Sequence, residues 1–203
     1  MFYWNNNLKL ILRVSATAYL IVILTGCESE QKKNTFYPID SLVTAQIVTL
    51  TIVGAELHKE VALDKQFDTV IYVPKDTAAW VNELDIFRQL ETINKPINRD
   101  SYIIDDGLYD PGSNLTVKAF TAIEELPVKS MRIYYSQTSR RPRKIEALYN
   151  EENALYKSSR KLSMEFQQVH NKTVLTSYSI LGGQKMVMGD SVIFSIKAEI
   201  QIE

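Results

Sequence analysis

One cysteine, two histidines, seven glycines and six prolines among 203 residues leave little of what usually carries catalysis, metal binding or sharp turns. A lone thiol rules out a disulfide framework and any cysteine-based zinc cluster. His58 and His170 stand in separate segments, with no carboxylate at a spacing that marks a charge relay. No serine sits in a G-x-S-x-G context. Leu181-Gly-Gly-Gln184 lacks the Lys-Ser/Thr and helix of a phosphate loop, so neither a catalytic residue nor a cofactor is expected. With 23 basic against 24 acidic residues the chain shows no nucleic-acid footprint. No internal repeat or low-complexity tract is present.

The longest apolar run, Val14 to Leu24, is too short for a membrane span but suits the h-region of an export signal, with Lys9 and Arg13 before it. It closes on Leu24-Thr-Gly-Cys27, and Glu28 to Thr35 follow as a polar tether. This arrangement resembles the lipobox of bacterial lipoproteins. The resemblance implies a signal peptide over residues 1–26, fatty acylation (palmitate or a similar chain) of Cys27, a tether to residue 36, and a single domain over 37–203. An uncleaved signal anchor fits less well, because the apolar run ends abruptly at Gly26-Cys27.

Downstream, the periodicities give an α+β domain. Asp40 is a candidate cap for a helix carrying Leu42, Val43, Ile47 and Leu50, although Val48 to Val53 has the β-branched content of a strand. Leu57, Lys59, Val61 and Leu63 alternate against His58, Glu60 and Ala62, and a polar turn at Asp64-Lys65-Gln66 makes a hairpin with Phe67 to Val73. Trp80, Leu84, Phe87 and Leu90 step at helical spacing behind an Asp76 or Thr77 cap, which predicts a helix near 77–94 ended by Asn94-Lys95-Pro96. After a turn-rich stretch from Asp105 to Asn114, period-two alternation recurs, most clearly in Val192, Phe194, Ile196, Ala198, Ile200 and Ile202. At least five antiparallel strands in the C-terminal half, with one buried face, predict a β-meander packed by the main helix.

Asp40-Ser-Leu with Gln46, Lys59, Trp80-Val-Asn-Glu83-Leu84 with Phe87, Asn94-Lys95-Pro96, and Leu175-Thr-Ser-Tyr178 through Gly182 to Met186 together resemble a type of small lipoprotein common in Bacteroidota. The resemblance implies location and fold, and no catalytic residue. Such lipoproteins mostly reside in the outer membrane, and many face outward.

Three segments are candidates for binding. Arg140, Arg141, Arg143 and Lys144 put four cations within five residues, suited to a lipid headgroup, a phosphate or an acidic glycan; the alternative is a solvated segment that discourages edge pairing. Asp105, Asp106, Asp110 and Asn114 offer oxygen ligands for calcium, but Asp-Gly and Pro-Gly are ordinary turn signals that account for the stretch without an ion, so no metal is assigned. Trp80, Phe87, Met164, Phe166, Met186, Met188 and Phe194 would line an apolar pocket if the sheet curls into a half-barrel, and equally well a permanent core. The expectation is a membrane-anchored, non-catalytic binding or assembly module of the cell envelope, with an envelope protein, lipid or glycan as partner. The alternative is a carrier of a lipid or apolar ligand, similar to the Lol carriers.

Overall fold

A computed structural model describes residues 36–136 and 140–202. The signal, Cys27 and the tether lie outside the described residues. Helix α1 (Ile39–Val53) opens the domain, followed by β1 (Glu56–Leu63), β2 (Gln66–Tyr72) and helix α2 (Thr77–Arg88). Short 3-10 turns at Gln89–Asn94 and Pro96–Asn98 lead into β3 (Tyr102–Asp110), β4 (Leu115–Ala122) and β5 (Val128–Tyr135). Strands β6 (Pro142–Glu152), β7 (Tyr156–Val169), β8 (Lys172–Met186) and β9 (Ser191–Gln201) complete it.

All nine strands form one antiparallel sheet in the order β2-β1-β9-β8-β7-β6-β5-β4-β3. Seven strands run as a meander, and β9 returns to pair with β1, Glu56 opposite Gln201. The expected α+β meander packed by a helix is the observed fold, with two helices on the sheet instead of one.

Alternation decides which face is buried. Leu57, Ala198, Tyr178, Ile180, Leu162, Met164, Ile145, Ala147, Met131, Ile133 and Phe120 point to the helices and join Val43, Ile47, Leu50, Trp80, Leu84 and Phe87 in one core. Nine strands at their usual spacing span about 38 Å, roughly twice the width of two packed helices. The cover is widened by the 3-10 turn and the first residues of the domain, with Leu90, Ile93, Phe36 and Tyr37 packed into the same core. The opposite face is wet and carries Ser163, Ser177, Ser179, Lys161, Lys197, Glu146 and Glu199 in register.

Several expectations are corrected in detail. Residues 48–53 are helical, their β-branched content overridden because Ile47 and Leu50 are buried in the core. Asp40 is not the cap: Pro38 holds that position, and Asp40 sits in the first turn. Asp76 does cap α2, accepting from the Ala79 N–H at 2.8 Å. The α-helix ends at Arg88, and the last turn before Lys95 tightens to 3-10. The acidic stretch is not a loop, since β3 runs to Asp110 and only Pro111–Asn114 turn. Gly107, at φ +87°, absorbs the bulge between Asp106 and Leu108 that lets an Asp-rich strand stay paired to β4.

Gly182 is required for close approach. A Cβ there would lie 2.7 Å from the Phe194 ring and 2.8 Å from the Ser159 carbonyl oxygen, and the backbone contact has no room to give. Gly182→Ala is expected to lower stability by about 1–3 kcal/mol, measured by denaturant unfolding against wild type.

Candidate functional site

Strand alternation puts Lys59 on the buried face of β1, where an ammonium group needs a counter-charge. Glu83 supplies it from α2. Lys59 Nζ donates to both carboxylate oxygens at 2.9 and 2.8 Å, the Tyr72 hydroxyl donates at 2.6 Å, and the Tyr178 hydroxyl at 2.5 Å. One carboxylate from a helix thus gathers β1, β2 and β8. The group is sunk in the helix–sheet interface, with the Glu83 side chain 12% exposed and that of Lys59 20%.

Burial raises the Glu83 carboxyl, but the hydrogen bonds from Lys59, Tyr178 and Tyr72 outweigh it and hold the group below its ordinary 4.5. Burial and the bonded carboxylate push Tyr72 up to about 12 and raise Tyr178 further. Every polar atom faces a partner that favours the charged acid and the neutral phenols. Chemically this is a clamp, not a poised acid–base pair.

Two further clamps use the polar residues of the sequence resemblance. Gln46, 3% exposed, donates to the Thr173 carbonyl at 3.1 Å and accepts from the Leu175 N–H at 2.8 Å. It thereby pairs backbone groups beside the β7–β8 bulge at Thr176. Asn94 accepts from the Phe36 N–H at 2.8 Å and donates to the Tyr37 carbonyl at 2.7 Å, fixing the start of the domain. Arg88 ties to Asp40 and Thr44, joining the end of α2 to the start of α1.

The four cations of 140–144 do not converge. Arg143 and Lys144 lie on opposite faces of β6, as strand geometry demands. Lys144 spans Glu146 at 3.1 Å and Glu165 at 3.5 Å. Arg141 is held at the β7–β8 turn by Gln168 at 3.0 Å and by Asn171. Arg140 alone faces a cleft, of about 160 Å³, lined by Tyr37, Asp106, Lys118, Ile133 and Tyr135. Asp106 there accepts from the Tyr135 hydroxyl at 2.5 Å and lies 3.7 Å from Lys118, and these partners hold it below the usual carboxylate range. The acidic and basic candidates therefore meet, at one residue each. Among the described residues no group of three His, Cys, Asp or Glu side chains is gathered to hold a metal ion.

The proposed apolar pocket divides. Trp80, Phe87, Met164 and Phe166 are 0–3% exposed in the core, and Phe194 packs against it half-buried. Met186 and Met188 do not belong with them: Met186 closes β8 at the sheet's end, paired with Tyr156, Met188 lies in the turn beyond it, and both are exposed. Trp80 is the one residue whose buried polar atom, the indole N–H, has no partner among the described residues. The missing hydrogen bond is a cost the surrounding apolar packing offsets. His58 bonds Glu56 at 2.6 Å, and His170 forms a positive-φ turn with Asn171.

No protein-family model, curated protein or solved structure matches the chain. The clamp's function is therefore argued from its geometry. Glu83→Gln keeps the shape but strands the Lys59 charge, and a loss of about 3 kcal/mol is expected in denaturant unfolding. The ionised Glu83 stabilises fully above pH 4.5, and that contribution disappears as pH falls through the lowered value. The raised tyrosines act in the opposite sense, and stability falls above pH 10, where the unfolded chain ionises first. The acid limb of stability against pH is expected to be steeper in wild type than in Glu83→Gln.

Proposed function

We propose that the chain is a lipid-anchored lipoprotein of the cell envelope, held in the outer membrane through Cys27, whose domain is a non-catalytic binding or assembly module. The observation that carries this reading is Leu24-Thr-Gly-Cys27 behind an apolar run, with eight polar residues leading straight into a folded domain. The buried ionisable groups support a scaffold role, because Glu83, Lys59, Tyr72 and Tyr178 are spent on one another. Described residues include no helix long and apolar enough to cross a membrane.

The cleft beside Arg140 and Lys118, with two tyrosines, is the place for an anionic group of an envelope protein, lipid or glycan. A carrier is the second reading, favoured by an antiparallel sheet whose one apolar face is covered by helices. Against it, Trp80, Phe87, Met164 and Phe166 occupy the space an apolar ligand would need.

Cys27→Ser is expected to abolish acyl labelling and detergent partitioning, and unchanged partitioning would overturn the anchoring. Native mass spectrometry of residues 28–203 is expected to give the mass of the bare chain. A companion mass lost on denaturation and extractable into organic solvent would put the carrier first.

A further inference from the structure

The two ends of the sheet differ in chemistry. At the end where β1 stops and β9 starts, connections expose large apolar tips: Ile97 at 86%, Ile123 at 60%, Leu155 at 69%, Val187 at 65% and Met188 at 97%. Backbone bonds knit neighbouring tips together. The Val187 N–H donates to the Leu155 carbonyl, and the Ile123 N–H to that of Ser101, each at 2.9 Å. At the opposite end the β3–β4 tip is Pro111-Gly-Ser-Asn114 and the β7–β8 tip is His170-Asn171, and the exposed aliphatics there, Ile52, Val53 and Val73, lie on the last turn of α1 and just after β2 and not on strand-connecting tips of the meander. A row of exposed aliphatic tips along one rim marks a contact surface rather than scattered surface apolarity.

Chain geometry indicates the occupant. Phe36 packs on Phe120, ring centroids 6.1 Å apart, two residues before β4 ends at Ala122 on this same rim. Tyr37 lies farther from the rim, beside Lys118 and Ile133. Only eight residues separate Cys27 from Phe36, and even fully extended that stretch spans about 30 Å. If Cys27 is acylated, as the proposed function holds and as this inference requires, a bilayer surface lies within that reach of the apolar rim.

We infer that this rim docks on the bilayer that holds the lipid anchor, its aliphatic tips entering the interfacial layer. Lys157 pairs with Glu152 at 2.5 Å, and Lys185 and Asp190 flank the Met188 turn, so charges of both signs rim the contact. Apolar insertion, not net charge, supplies the attraction.

The test uses the acylated full-length protein, in which Cys27 no longer carries a free thiol. Met188→Cys, Leu155→Cys and Ile52→Cys, all at exposed positions, are each labelled with an environment-sensitive fluorophore. The proteins are reconstituted in vesicles of phosphatidylethanolamine with a minor share of phosphatidylglycerol. Probes at 188 and 155 are expected to shift to the blue and to be quenched by spin-labelled acyl chains, while the probe at 52 stays in water. Water-like emission at 188 and 155, on protein that floats with the vesicles and carries the acyl mass, would overturn the docking and leave the anchoring intact. Equal quenching at 52 and 188 would overturn the choice of end. Protein lacking acyl mass that fails to float would overturn both.

Discussion

One ion pair at the helix–sheet interface, Lys59 with Glu83, organises this domain. Lys59 alternates onto the apolar face of a strand, and a carboxylate from α2 must meet it there or the strand cannot lie against the helix. Once Glu83 is in place its remaining lone pairs take the hydroxyls of Tyr72 and Tyr178, which sets the height and rotation of α2 over β1, β2 and β8. Apolar packing alone tolerates sliding. A four-bonded carboxylate does not, so the clamp supplies the specificity that the aliphatic core around it lacks.

The same logic explains the polar residues that stood out in the sequence. Gln46, Lys59, Glu83, Asn94 and Tyr178 each bridge a helix, or the domain's first residues, to another element. Each position is fixed by a backbone or charge partner distant in sequence, which is why these residue types are needed there.

How much could be read beforehand depended on burial. Strands such as β9 and β7 were legible because one face is buried and the other wet, and α2 because its stripe and its Asp76 cap agree. Strand β3 was not, because three aspartates and a glycine look like a turn until a bulge at Gly107 accommodates them. The basic cluster looked like one site only while its residues were counted along the chain; a strand sends Arg143 and Lys144 to opposite faces. Met186 at the end of β8 and Met188 in the turn after it are exposed, and nothing local distinguishes a methionine destined for the interior from one on a rim. The clamp itself was hidden because its partners lie on four different elements.

The pairing of β1 with β9 has a consequence in time. Most contacts of the meander are between neighbours in the chain, but the β1–β9 ladder, Glu56 to Leu63 against Phe194 to Gln201, joins its beginning to its end. A chain made from its N-terminus holds β1, β2 and α2 waiting beside an unfinished sheet until its final eleven-residue strand arrives. High contact order of this kind slows folding. The sheet therefore closes only once its last strand has been made, in one late step.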